Sequence, residues 1–184
     1  GIAQPQIGLV TRVAEAHGDL LGGIDGVARA KSELLRALPP TGTAILNADD
    51  DRVAAMASVT TASVLTYGHA PGCDVRATDV RLDELARPSF TLHTPWGRVD
   101  VRMAMSGEHM VSNAAAAVAC VGIVGGDVSA GAAALAEARL SAMRMLSMRP
   151  VSAQASMSQT VSIGVFCIVR SRFAAWGNSF GLTY

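Results

Sequence analysis

The chain has 184 residues, of which 50% are hydrophobic and 16% are charged. This composition excludes a disordered chain and predicts a globular domain with a sizeable core. Fifteen basic residues balance fifteen acidic ones, which removes the electrostatic argument for nucleic acid or an anionic membrane as the main partner.

The cysteines and the chain start bear on the cellular compartment. Cys73, Cys120 and Cys167 lie far apart, without the paired spacing of a thiolate zinc site or a disulfide framework. The chain opens without a charged segment or a cleavage site, and its late apolar run, residues 163–169, is shorter than the roughly 20 residues that span a bilayer. We therefore expect a reducing, cytoplasmic location. The opening without Met suggests a piece of a longer protein.

The first half of the chain alternates between strand and helix patterns. Residues 6–13, 43–46 and 63–67 are short apolar runs typical of buried strands. An amphipathic helix capped by Asp25 separates the first two runs, and a helix over residues 53–58 separates the second and third. This order predicts an α/β fold with a mostly parallel sheet and flanking helices.

The pattern changes after residue 74. Apolar and polar residues alternate on both sides of the turn at residues 95–97, which predicts an antiparallel hairpin layer with residues 75–82 as its third strand. Two Ala-rich helices, residues 109–124 and 129–138, should follow. Asp127 or Ser129 caps the second helix in this interpretation.

The end of the chain differs in composition from the rest. No acidic residue occurs in the 47 positions after Glu137. We expect residues 1–146 to form one unit and residues 147–184 to lie outside it. This tail would be a frameshifted reading frame or the remnant of another domain.

A few polar residues could carry chemistry. His17 follows the first strand, where open α/β sheets place ligand sites, although a loop histidine is ordinary. Lys31, the only lysine, could simply face solvent on its helix. The carboxylates at residues 49–51 could bind a cation or cap the next helix, and the helix opening at residues 107–109 could meet a phosphate, a base or a capping side chain. No GxxxxGK[ST] phosphate loop is present.

Two motifs, taken in order, resemble the centre of the Mur ligases, the ATP-dependent enzymes that build the peptidoglycan stem peptide. The first motif comprises Ala30-Lys31-Ser32-Glu33 and the Gly-x-x-x-x-Asn-x-Asp-Asp run of residues 42–50. The second joins the hairpin to the Gly-x-His start of a helix in GEHMVSNAAAAVA. The resemblance covers residues 1–146 and implies the family's central ATP-binding domain, truncated before its phosphate loop.

The resemblance implies roles for five residues. His17 stands at the family's magnesium-binding histidine, and Lys31 at the lysine that is carbamoylated and thereby becomes an anionic magnesium ligand. Asn113 matches the asparagine that hydrogen-bonds adenine, with His109 beside it at the nucleotide. Arg144 lies where the family has an arginine near the ATP phosphates.

The resemblance also implies a reaction. The most similar branch of the family adds D-alanyl-D-alanine to UDP-N-acetylmuramoyl-tripeptide through an acyl phosphate, with ATP and Mg²⁺, as a cytoplasmic monomer that supports cell-wall growth, cell shape and division. This chain departs from the family's pattern at three positions: Arg12 stands where the family has Asn, Gly18 where it has Leu, and Met110 where it has Asn. We expect this chain alone to be inactive. The alternatives are a non-catalytic truncated remnant or a ligase like folylpolyglutamate synthase.

Overall fold

The computed structural model describes residues 5–14, 23–137 and 165–168. These residues form one mixed sheet whose strands lie in the order β6-β5-β4-β3-β2-β1-β7. The strands are β1 (Ile7–Val10), β2 (Thr43–Asn47), β3 (Ser63–Gly68), β4 (Val75–Leu82), β5 (Pro88–Thr94), β6 (Gly97–Arg102) and β7 (Val165–Ile168). The helices are α1 (Gly23–Arg36), α2 (Asp51–Ala55), α3 (His109–Ile123) and α4 (Val128–Leu135), with a 3₁₀ turn at Met56–Val59 after α2.

The parallel part of the sheet confirms the prediction from strand and helix alternation. β1 pairs parallel with β2, and β2 pairs parallel with β3. β1 is shorter than the predicted residues 6–13, because the chain leaves the sheet after Val10 and the Val13 amide donates to Asp50 Oδ2 instead, at 3.0 Å. All four β1 residues are buried, as expected for a strand covered on both faces.

The predicted antiparallel hairpin is present and extends the same sheet. β4, β5 and β6 pair antiparallel in sequence order. β4 is attached to the parallel part through only two residue pairs, Tyr67 with Val75 and Gly68 with Arg76. The antiparallel strands therefore project beyond the carboxyl end of β3.

Aspartate side chains cap the N-termini of two of the helices. Asp50 accepts hydrogen bonds from the amides of Arg52 and Val53 at the start of α2, and Asp127 accepts from Ser129 and Ala130 at the start of α4, as predicted. The prediction that Asp25 caps the first helix is wrong. α1 already begins at Gly23, so Asp25 lies within its first turn and forms a 2.6 Å ion pair with Arg52.

Two hydrophobic clusters fill the space on opposite faces of the sheet. The larger cluster packs β1 to β6 against α3 and α4, and Tyr67, Val75 and Leu92 are fully buried within it. The smaller cluster packs the other face of the parallel part against α1 and α2, around Leu35 and Leu46. The helices therefore leave one face of β4 to β6 uncovered by either cluster.

Little of the predicted tail falls within the described residues. Residues 165–168 form β7, which pairs antiparallel with β1 at the edge of the sheet. The rest of residues 147–184 lies outside the described ranges, and the proposed domain boundary stays a prediction. None of the helices in the described ranges is long and apolar enough to cross a bilayer.

Candidate functional site

The carboxyl ends of β1, β2 and β3 meet at one edge of the sheet, because the three strands run parallel. Ligands of open α/β proteins bind outside this edge. The chain places Thr11, Asn47 and His69 there, directly at or after the ends of the three strands. The start of α3 reaches the same edge through Ser112, whose hydroxyl lies near the Asn47 amide.

Asn47 joins three segments at this edge. Its Nδ2 donates to the Thr11 carbonyl at 2.8 Å and lies 3.5 Å from Ser112 Oγ in α3. Its Oδ1 accepts from the Asp49 amide at 3.0 Å. The side chain is buried, so these polar groups have little access to water. Asn47 therefore fixes the exit of β1, the loop after β2 and helix α3 relative to one another.

We expect Asn47→Ala to lower the free energy of unfolding by about 2–3 kcal/mol, because it leaves buried partners of the amide unpaired. Chemical denaturation followed by circular dichroism measures this loss. Asn113→Ala is the matched control, since Asn113 is exposed one turn into α3 and should cost less than about 0.5 kcal/mol. Equal losses for the two variants would contradict the joining role of Asn47.

Lys31 extends from α1 to the carboxyl end of β1. Its Nζ donates to the main-chain carbonyl of Arg12, and the side chain is partly buried. Burial lowers the pKa of Lys31 from its ordinary value, and the nearby Asp50 carboxylate acts in the opposite direction. Lys31 therefore points to the sheet edge rather than into solvent.

The three successive carboxylates after β2 have separate structural roles. Asp49 accepts hydrogen bonds from the amides of His69 and Ala70, and thereby ties the loop after β3 to the loop after β2. Asp50 caps α2, as predicted, and holds Val13 as well. Asp51 is the first residue of α2. These bonds account for Asp49 and Asp50 without a cation.

The start of α3 presents two of the predicted nucleotide-binding residues. His109 and Asn113 are both exposed, one turn apart. The His109 ring packs over Gly107, where an added Cβ would lie 2.5 Å from the ring, and Gly107 has a φ of +115°. Only glycine fits both requirements. Asn113 Nδ2 contacts Met110 Sδ at 3.8 Å, so the methionine that replaces the family's Asn lies against the adenine-binding candidate.

Two predicted site residues lie outside the described residues. His17 falls in residues 15–22, and Arg144 falls in residues 138–164. The predicted sharing of one metal by His17 and Lys31 therefore stays a prediction. Among the described residues, no group of three or more His, Cys, Asp or Glu side chains could hold a metal ion.

Reasoning from the sequence missed Tyr67, Ser112 and His69 at this edge. Tyr67 is fully buried, and burial raises the pKa of its phenol far above the ordinary value, so the hydroxyl stays protonated. His69 Nε2 is buried without a hydrogen-bond partner among the described residues, while Nδ1 lies 3.9 Å from Asp49 Oδ2. The position of Tyr67 and His69 at the end of a predicted parallel strand was the available signal.

Comparison with known families matches residues 1–121 to the Mur ligase middle domain. The chain belongs to the Mur ligase family. Its expected resemblance to that family and its α/β fold are therefore both confirmed.

Three known proteins illustrate how similar this Mur ligase chain is to other members of the family. It is 44% identical over 137 residues to the UDP-N-acetylmuramoyl-tripeptide–D-alanyl-D-alanine ligase of Mycobacterium tuberculosis, a match that covers 74% of this chain and 27% of that protein. It is 39% identical over 117 residues to the UDP-N-acetylmuramate–L-alanine ligase of Stenotrophomonas maltophilia, covering 62% of this chain and 24% of that one. The crystal structure of MurF from Acinetobacter baumannii matches with a TM-score of 0.68 and 36% identity, over 74% of this chain and 30% of that chain.

The Mur ligase chain therefore spans less than a third of the length of these relatives. The family match is to the middle domain of the Mur ligases.

Proposed function

We propose that this chain is the central part of an ATP-dependent ligase that joins D-alanyl-D-alanine to UDP-N-acetylmuramoyl-tripeptide in peptidoglycan precursor synthesis. The observation that carries the proposal is the convergence of Lys31 and the start of α3 on one sheet edge through Asn47 and the exit of β1. The 44% identity to a ligase of that name supports the choice of substrates.

Lys31 is the residue best suited to hold magnesium after modification. Its lowered pKa increases the fraction of neutral amine, which is the form that adds carbon dioxide to give a carbamate anion. The carbamate of Lys31 would supply an oxygen ligand, the type that Mg²⁺ prefers, and the imidazole of His17 would supply a nitrogen ligand to the same ion. When bound, Mg²⁺ offsets the repulsion between the substrate carboxylate and the phosphoryl group.

The nucleotide would lie against the start of α3. Asn113 is exposed and can hydrogen-bond adenine through its amide, while the His109 ring, one turn earlier on α3, packs over Gly107. Arg144 would meet the phosphates. Met110 brings an apolar side chain to the position where the family has an amide, and its Sδ lies 3.8 Å from Asn113 Nδ2.

The proposed reaction has two stages. The terminal carboxylate of the tripeptide takes the γ-phosphoryl group of ATP, which gives an acyl phosphate and ADP. The amine of D-alanyl-D-alanine then attacks the acyl carbon, and the tetrahedral intermediate expels phosphate to leave the amide. Electrostatic stabilisation of the transferred phosphoryl group is the main contribution of such a site to catalysis.

We further propose that the enzyme works as a monomer in the cytoplasm. Its substrates in this proposal are a nucleotide-linked sugar peptide, a dipeptide and ATP. The balance of fifteen basic and fifteen acidic residues agrees with a partner set of small molecules rather than nucleic acid.

Two measurements test the proposal. The 184-residue chain alone should release no phosphate from ATP above background in a coupled assay, because its sequence has no GxxxxGK[ST] loop to hold the β- and γ-phosphates. A hybrid ligase, in which the matched 137-residue segment of the Mycobacterium tuberculosis enzyme is replaced by its counterpart from this chain, should form the amide.

The outcomes separate the alternatives. A hybrid that folds but forms no amide would support a non-catalytic remnant and contradict the proposal. Phosphate release by the isolated chain would contradict the first expectation. A hybrid that joins glutamate to the carboxylate of a folate, rather than D-alanyl-D-alanine to the tripeptide, would favour a ligase like folylpolyglutamate synthase.

A further inference from the structure

The uncovered face of the antiparallel strands carries three basic or imidazole side chains in one row. Arg76 of β4 lies directly opposite His93 of β5, and His93 lies directly opposite Arg98 of β6. Their sequence neighbours Val75, Leu92 and Val99 are buried in the larger cluster on the other face, so the row faces away from α3 and α4.

The side chains in this row lack carboxylate partners. Within residues 5–14, 23–137 and 165–168, neither Arg76 nor Arg98 forms an ion pair. Arg76 Nε makes one long bond of 3.3 Å to the His69 carbonyl, and His93 Nε2 lies 3.1 Å from the Thr78 hydroxyl. Most of the donor capacity of the two guanidinium groups is therefore open to a ligand.

A cavity adjoins the row. It has a volume of about 460 Å³ and is lined by the loop after β3 at residues 72–74, by Arg76, and by residues 93–95 at the end of β5. The pocket is open to solvent along one side, so it can admit a phosphate group without a change in the fold. The one carboxylate in the lining, Asp74, accepts from both the amide and the hydroxyl of Thr66, each at 2.7 Å, and is thereby drawn toward β3.

We propose that this pocket binds the phosphate group of a small phosphorylated molecule through Arg76 and His93 of its lining, with Arg98, directly opposite His93, as a third contact at its edge. Guanidinium groups bind phosphate oxygens with two parallel hydrogen bonds. Three donor side chains in a row match a phosphate monoester, which has three terminal oxygens, better than a carboxylate, which has two. The row lies on the face of the sheet opposite α3, whereas the proposed nucleotide-binding residues His109 and Asn113 belong to α3.

The test is an NMR titration of the full 184-residue chain with inorganic phosphate at constant ionic strength. Saturable shifts of the Arg76, His93 and Arg98 signals are expected. Arg76→Gln and Arg98→Gln should each weaken phosphate binding about tenfold, since each removes a charge-assisted contact. Arg102→Gln is the matched control, because Arg102 is exposed on the same face of β6, four residues from Arg98, and should change the affinity less than twofold.

Three results would overturn the proposal. The first is a shift that does not saturate, or one that sodium chloride reproduces. The second is equal saturation by succinate, which would remove the assignment to phosphate. The third is equal weakening by Arg98→Gln and Arg102→Gln, which would indicate general surface charge. Within the described residues the Arg98 side chain makes no hydrogen bond or ion pair. Arg98→Gln should therefore leave the fold intact and remains a test even if Arg76→Gln perturbs folding.

Discussion

Lys31→Ala in the hybrid ligase should lower kcat about 10²–10³-fold, the loss expected when a main source of electrostatic stabilisation is removed. The side chain reaches the exit of β1 from α1, and no other lysine exists in the chain to replace it. Steady-state kinetics with ATP and both peptide substrates measure the loss. A mass increase of one carbon dioxide on the intact protein, lost in Lys31→Ala, would identify the carbamate directly.

Arg29→Gln provides the control for this prediction. Arg29 is exposed on the same helix, and its replacement removes a positive charge without touching the sheet edge, so kcat should change less than about twofold. Full activity of the Lys31→Ala hybrid would contradict the proposed role of the lysine. Lys31→Arg should be as inactive as Lys31→Ala, because a guanidinium group keeps its charge and forms no carbamate.

Gly68→Ala should lower the free energy of unfolding by about 2–4 kcal/mol, the sum of backbone strain and overpacking. Gly68 has a φ of +151°, and an added Cβ would lie 2.6–2.7 Å from the Asp49 carboxylate. That carboxylate is held by the His69 and Ala70 amides, so it cannot move without breaking those bonds. Urea denaturation monitored by circular dichroism gives the value.

Gly72→Ala separates the two causes. Gly72 has a φ of +92°, but an added Cβ would meet nothing within 4 Å. Its replacement therefore carries backbone strain alone and should cost about 1–2 kcal/mol. If Gly68→Ala and Gly72→Ala cost the same, close contact with Asp49 contributes nothing and the prediction fails.

The order and pairing of the elements could be predicted from sequence because each strand is a distinct apolar run. β2 and β3 were predicted to within one residue, and the hairpin followed from alternation about its turn. The end of β1 was missed, because Val13 satisfies its amide with a carboxylate 37 residues away. The start of α1 was missed as well, because an acidic residue near a helix start can sit in the first turn and form an ion pair.

The site was predictable only where a residue type is tied to a known chemistry. Lys31, His109 and Asn113 were found through the resemblance to the Mur ligases. The junction role of Asn47 was missed, because its partners Thr11 and Ser112 lie 36 and 65 residues away. No local pattern encodes such a distance. The row of Arg76, His93 and Arg98 could not be predicted either, because these residues become neighbours only through the register of β4, β5 and β6.

β4 pairs with β3 through only two residue pairs, and this bears on the cooperativity of unfolding. Main-chain hydrogen bonds across this junction are few, yet the larger cluster runs through it without a break, from Ile45 and Tyr67 to Leu92 and Val101. The parallel strands and the antiparallel strands are thus held together mainly by buried side chains that pack against α3. Because one core spans both halves of the sheet, we expect the parallel and antiparallel strands to unfold in a single cooperative transition.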